Sequence, residues 1–191
     1  MQPTQEIANA VTILFPAVTT ALLAFETKNT MVTIILIGTL MHTPVSFTYH
    51  LLAALGRHAD RIDNDLRRLD QTMQHVAIVL FAFATSGSVF YATLCCKFNA
   101  YYIFRLWHPK TTNDGRRFIP INIAAHFYML PLLWRADYRN FLIAFESFWF
   151  GGFFFTPCIN RDYFGGWGHC VFHIALAIHS YALVASTAAG S

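Results

Sequence analysis

Residues 71–104 read QTMQHVAIVLFAFATSGSVFYATLCCKFNAYYIF, an apolar run of 34 residues. As one α-helix this run would measure roughly 51 Å at 1.5 Å per residue, whereas the hydrocarbon core of a bilayer is roughly 30 Å thick. The run is therefore predicted to break, and the turn residues Ser86-Gly87-Ser88 lie at its middle. We expect two helices here, at about 71–86 and 88–105.

The overall composition indicates that most of the chain belongs in a membrane. Of its 191 residues, 55% are hydrophobic, 16% are aromatic and only 12% are charged, and the mean hydropathy is +0.43. This number of charged side chains is too small to cover the surface of a soluble domain. A disordered chain, a coiled coil and a soluble enzyme therefore match this composition poorly. The net charge of +3 lies mainly in short loops between apolar runs, so no nucleic-acid partner is expected.

Apolar runs long enough to span a bilayer recur along the chain and are separated by polar, charged loops. Together they predict an all-α, multi-pass integral membrane protein, with residues 1–191 forming a single seven-helix transmembrane domain. The predicted helices cover residues of about 9–26, 31–55, 71–86, 88–105, 118–134, 140–156 and 167–188.

The Lys and Arg residues are divided unevenly between the two faces of such a bundle. With seven spans, nine lie on the face of the N-terminus and three on the opposite face. This bias predicts a cytoplasmic N-terminus and a C-terminus that is outside or lumenal. Without the break in residues 71–104 there would be six spans, and the last helix would start on the other face. The nine are Arg57, Arg61, Arg67, Arg68, Arg105, Lys110, Arg116, Arg117 and Arg161, and the three are Lys28, Arg135 and Arg139.

Several polar side chains interrupt the apolar helices near one membrane face. Ser46 and His50 are four residues apart in the second predicted helix, as are His169 and His173 in the last, so each pair shares a helix face. Asp70 opens the third predicted helix. With seven spans, the end of the second helix and the starts of the third and last helices meet at one face. These polar groups are therefore predicted to converge at one depth, where ionisable side chains indicate function.

The residue types in this predicted cluster favour a metal site. Three neutral imidazoles are a known ligand set of catalytic zinc, because they leave a fourth position open for water. Zinc lowers the pKa of that water to about 7. A nearby aspartate can take its proton, and a serine can donate a hydrogen bond to the water or to a developing oxyanion.

The spacing of these motifs resembles a known family. Ser46-x3-His50, Asp70 at a helix start, and His169-x3-His173 together resemble the signature of the CREST membrane superfamily, which includes alkaline ceramidases, adiponectin and progestin receptors, and myomaker-like proteins. The stretches LRRLDQTMQHVAI and GHCVFHIALAIHSYAL are similar to the third and last helices of the myomaker-like branch. The resemblance implies that His50, His169 and His173 bind Zn2+ and that Asp70 and Ser46 hold and activate the attacking water.

The resemblance also implies a function, with one alternative left open. Characterised members of the superfamily cleave amides, so it implies a zinc-dependent, ceramidase-like hydrolase that acts on ceramide-like or other acyl lipids of the membrane. Myomaker-like relatives are known for membrane fusion, so a non-catalytic receptor-like or membrane-remodelling protein with a structural zinc site is the alternative. A channel or transporter is disfavoured, because the polar residues cluster at one leaflet and no inverted repeat is apparent.

Three further polar residues carry weaker expectations. His42 lies on the face of Ser46 and is expected to be a buried, hydrogen-bonded histidine rather than a metal ligand. His75 is expected to support the site from behind the ligands. Glu146, within the sixth predicted helix, is expected to face the bundle interior.

Overall fold

The computed structural model describes residues 2–57, 63–109, 118–155 and 163–190. Within those ranges the regular structure is entirely helical, with no strand, so the all-α class is confirmed. The helices are α1 (Pro3–Thr12), α2 (Leu14–Thr27), α3 (Thr30–Ala54), α4 (Asp65–Ser86), α5 (Val89–Trp107), α6 (Phe118–Trp134), α7 (Tyr138–Phe155) and α8 (Gly168–Ala189), with a 3-10 helix at Tyr163–Gly166.

Three helical runs are long and apolar enough to cross a bilayer. The first is Pro3–Thr27, which α1 and α2 form together where they meet at Ile13, and the others are α3 and α8. They contain 25, 25 and 22 residues. A shorter apolar helix covers Ile119–Trp134. These lengths and compositions suit a membrane protein.

The apolar run of residues 71–104 breaks where its turn residues predicted. α4 ends at Ser86, and Gly87 follows with a φ of 63°, the left-handed conformation that commonly ends a helix. Ser88 then begins α5, because its Oγ accepts a hydrogen bond from the backbone N–H of Tyr91 at 3.2 Å. The two helices that result pack against each other.

Two helices begin earlier than their apolar runs indicate. α1 starts at Pro3, and α4 starts at Asp65 rather than near residue 71. In α4, the Asn64 side chain accepts a hydrogen bond from the backbone N–H of Arg67 at 2.8 Å, which satisfies a donor of the first turn. As a result, Asp70 does not open the helix but lies in its second turn, one turn after Arg67.

α8 lies at the centre of the contacts that build the site. It packs against α7 and α2 and also contacts α1, α3 and α4. α7 approaches it closely at Gly151, where an added Cβ would lie 2.9 Å from the Ala175 Cβ and 3.0 Å from the Phe172 Cα. A small residue at this position therefore allows the two helices to pack closely.

Candidate metal centre

The structure brings His50, His169 and His173 together, as their spacing predicted. His50 lies near the C-terminal end of α3, and the other two lie in the first two turns of α8. One ring nitrogen from each histidine lies within 4.8 Å of the other two, and all three side chains are buried. The ring centroids are 4.5 Å apart for His169 and His173, and 4.7 Å apart for His50 and His169.

Two residues of α1 hold two of these rings by one nitrogen each. The Nδ1 of His50 lies 2.6 Å from the Glu6 Oε2, and the Nδ1 of His173 lies 3.0 Å from the Thr12 Oγ1. In metal sites the ring nitrogen that does not bind the metal makes such a contact, which fixes the orientation of the ring. The contacts leave the Nε2 of each ring as the atom for a ligand.

Two buried ring nitrogens, His50 Nε2 and His169 Nδ1, have no hydrogen-bond partner among the described residues. A buried polar group without a partner costs about 1–3 kcal/mol, so a ligand that supplies one would stabilise the cluster. Three histidines without a cysteine are the donor set of open zinc sites. The residues present therefore fit a divalent ion such as Zn2+.

Glu6 is a site residue that sequence reasoning missed. Only 1% of it is exposed, and it lies on α1, six residues before Thr12, which contacts His173 of α8. The first helix was predicted to start near residue 9, so Glu6 fell outside it. The available signal was the spacing of Gln5, Glu6, Asn9 and Thr12, which places polar groups on successive turns of one helix. Two of them also reach the α8 region, since Asn9 accepts a hydrogen bond from Cys170 and Gln5 donates one to the Gly165 carbonyl.

Asp70 is fully buried, and both of its carboxylate oxygens already have partners. Oδ1 lies 2.9 Å from the His42 Nε2, and Oδ2 accepts hydrogen bonds from Arg67 at 2.8 Å and from Gln74 at 3.3 Å. Within the described part of the chain, Asp70 makes no hydrogen bond to the three histidines. The expectation that His42 is a buried, hydrogen-bonded histidine is confirmed for the hydrogen bond, and the side chain is mostly buried, with 16% of it exposed.

Arg67 is a second residue that the sequence did not single out. Its guanidinium pairs with Asp70 and lies 5.1 Å from the centre of the Tyr49 ring, a cation–π contact with α3. Sequence reasoning assigned Arg67 to a loop, because the apolar run of the next helix starts only after Asp70. The early start of α4 is what places Arg67 one turn from Asp70.

Ser46 connects the two groups through a shared cavity. It is buried on α3, one turn before His50, and lines a cavity of about 150 Å³ together with Asp70, His169 and His173. Most of the cavity wall is apolar. The apolar lining includes Ile78, Phe81, Phe148, Phe172 and Leu176.

Two weaker expectations need correction. Glu146 does not face the bundle interior, because its side chain is exposed on α7. His75 is buried, but its Nδ1 lies 2.7 Å from the Asn99 Oδ1. This hydrogen bond joins α4 to α5 rather than supporting the three histidines. The error at Glu146 has a physical reason. α7 is apolar around most of its circumference, and such a helix carries little pattern to show which side faces inward.

The fold and the site together define a class: an all-helical protein with three helical runs apolar enough to cross a membrane and a buried triple-histidine cluster that could hold a metal ion. Comparisons with models of known protein families, with curated proteins and with solved structures find no match for this chain. The resemblance to the CREST superfamily therefore depends on the short motifs alone.

Proposed function

We propose that this chain is a seven-span membrane protein that holds Zn2+ through His50, His169 and His173 and hydrolyses the amide bond of a lipid. α4 to α7 contain between 17 and 22 residues. At 1.5 Å per residue these helices measure about 26–33 Å, close to the thickness of a hydrocarbon core. The distribution of Lys and Arg supports a cytoplasmic N-terminus and a C-terminus outside or in a lumen.

The observation that carries this proposal is the pair of buried nitrogens without partners, His50 Nε2 and His169 Nδ1, next to His173. When bound, zinc supplies a Lewis acid and an activated water at neutral pH. The motif resemblance to the CREST superfamily, with its amide-cleaving members, supports a ceramide-like or other acyl lipid as the substrate.

The chain's own groups have distinct roles in this proposal. Asp70 accepts the proton that the attacking water loses, and Arg67 and His42 hold its carboxylate in the cavity wall. Ser46 donates a hydrogen bond to the amide carbonyl oxygen as negative charge develops on it. The apolar part of the cavity suits the acyl chain of the lipid.

The test combines metal analysis with a lipid-amide hydrolysis screen on protein purified into nanodiscs. We expect zinc in stoichiometric amount and measurable cleavage of a ceramide-like amide. Asp70→Asn should keep the zinc but lower turnover by about 10²–10⁴-fold, because it removes a general base.

Asp63→Asn is the matched control for this experiment. Asp63 also pairs with an arginine, Arg68, at 2.7 Å, but it lies before α4 and does not line the cavity. Its replacement should leave turnover unchanged. Full zinc content without cleavage of any lipid amide in the wild type would count against hydrolysis.

One observation favours a second candidate, a structural zinc site in a receptor-like or membrane-fusion protein. Both oxygens of Asp70 are engaged by residues of α3 and α4, and the histidine cluster joins α3 and α8, with α1 supporting it. A zinc ion there could simply clamp these helices. In that case Asp70→Asn would change neither the zinc-dependent rise in melting temperature nor the biological activity.

A further inference from the structure

Two exposed side chains of opposite charge, Lys97 and Glu146, lie in the middle of otherwise apolar helices. Lys97 is the ninth residue of α5, which has 19 residues, and Glu146 is the ninth residue of α7, which has 18. Both side chains are exposed. Within the described ranges, neither side chain makes a hydrogen bond or an ion pair.

The two charges also lie at the same depth if the chain crosses the membrane seven times as proposed above. α5 and α7 then run in the same direction across the bilayer. Each charge comes eight residues after the first residue of its helix, a distance of about 12 Å at 1.5 Å per residue. Both side chains would therefore lie near the bilayer midplane, where an exposed charge is strongly unfavourable without a partner.

Among the described helices, the packing does not bring the two charges together. α5 packs against α4 and α6, and α7 packs against α6 and α8, so α6 lies between the two charged helices. Exposed apolar side chains surround each charge, among them Leu94 beside Lys97 and Phe150 beside Glu146. Such apolar surface is normal against lipid and does not by itself identify a partner. The two opposite charges do indicate a partner, because a second copy of the chain carries the complementary charges at equal depth.

We propose that the outer face of α5, α6 and α7 is a two-fold interface with a second copy of this chain, in which Lys97 of each copy pairs with Glu146 of the other. In a two-fold dimer the same patch meets itself, so one pair of residues makes two equivalent contacts. Each contact removes both charges from the hydrocarbon. The interface rests on the proposed seven-span arrangement and is independent of zinc and hydrolysis.

Charge reversal tests this interface directly. A K97E copy carries acidic side chains at both positions, and an E146K copy carries basic ones, so each variant alone meets itself with two like-charge contacts. Dimerisation of either variant alone should weaken by at least about tenfold. When the two variants are co-expressed with different tags, both contacts are again between opposite charges. The mixture should therefore form heterodimers as readily as the wild type forms homodimers, measured by co-purification and by single-molecule photobleaching in nanodiscs.

Two further variants keep the result interpretable. R105E makes the same charge change as K97E at an exposed position eight residues further along α5, and it should leave dimerisation unchanged. The double variant K97M/E146Q removes both charges without creating repulsion. It should elute as a folded, monodisperse protein with a weakened dimer, which separates loss of pairing from misfolding.

The proposal is overturned if the wild type is monomeric in native-like bilayers, if both reversals leave the dimer intact, or if mixing the reversed copies restores nothing. A monomeric wild type whose E146K variant loses a bound lipid or another protein would assign this face to that ligand instead. Zinc content should be the same in all of these variants, so a failed dimer test leaves the metal proposal untouched.

Discussion

Two polar clusters lie close together in this bundle, and they differ in how completely their groups are paired. Asp70 has a partner on each carboxylate oxygen, His42 on one and Arg67 on the other. In the histidine cluster, His50 Nε2 and His169 Nδ1 are buried without a partner among the described residues. The groups of the first cluster satisfy one another, so removing one would leave the others unpaired, whereas the open nitrogens of the second could be satisfied by a ligand. Besides its proposed effect on turnover, removing the Asp70 side chain should therefore lower the stability of the fold, whereas changes in the histidine cluster should affect zinc binding.

The largest effect is expected from His169→Ala combined with His173→Ala. Structural zinc sites contribute about 10–16 kcal/mol, so loss of two of three histidines should weaken zinc binding by more than about 1000-fold. Mass spectrometry of purified protein, equilibrated against a buffer of low free zinc, measures the loss. His75→Ala is the control, since this buried histidine contacts Asn99 instead of the cluster. Equal zinc content in the double variant and the wild type would disprove the site.

Asp70→Ala tests the paired cluster. It leaves the Arg67 guanidinium and His42 without their shared carboxylate and should lower the free energy of unfolding by about 2–4 kcal/mol. This is somewhat less than for a fully buried pair, because Arg67 and His42 are 19% and 16% exposed. Denaturant unfolding in detergent, with zinc chelated, gives the value.

Asp63→Ala supplies the comparison for this variant. The Asp63–Arg68 pair has a similarly short N–O distance, 2.7 Å against 2.8 Å for Arg67–Asp70, but Asp63 is 28% exposed whereas Asp70 is fully buried. Its loss should therefore cost at most about 1 kcal/mol. Equal losses for the two aspartates would mean that burial of Asp70 adds nothing to its ion pair.

The sequence was sufficient to predict the three histidines, because four-residue spacing and matched helix ends bring them to one depth. It could not supply Glu6 or Arg67, since hydropathy marks where a helix becomes apolar and not where its first polar, capped turn begins. The same limit explains the error at Glu146. Hydropathy identifies a membrane helix, but a helix that is apolar on most sides gives little sign of its rotation.

Glu6→Gln tests how much α1 contributes to zinc binding by the histidine cluster. The neutral amide is a weaker acceptor for the His50 Nδ1–H than the carboxylate, so the imidazole becomes a poorer ligand. Zinc affinity should fall by about 10–100-fold, as is usual when a group that orients a metal-bound histidine is replaced. Glu26→Gln removes the same charge from an exposed position near the end of α2 and should have no effect. Unchanged affinity in Glu6→Gln would show that this contact only joins α1 to α3.

The smallest effect is expected at Gly151, which tests whether the two clusters depend on different helices for their positions. His169 and His173 lie on α8, which α7 approaches closely at Gly151, whereas Asp70 is held by residues of α3 and α4. Gly151→Ala places a methyl group 2.9 Å from the Ala175 Cβ and should destabilise the protein by about 1–2 kcal/mol through overpacking. It should also weaken zinc binding slightly, because α8 must move.

Gly152→Ala is the control for this variant. It adds the same methyl group where nothing lies within 4 Å, so it should be neutral or slightly stabilising through helix propensity. If Gly151→Ala lowers stability but not zinc affinity, the α1 and α3 contacts alone position the histidines. Loss of both together would show that the metal site depends on the packing of α7 against α8.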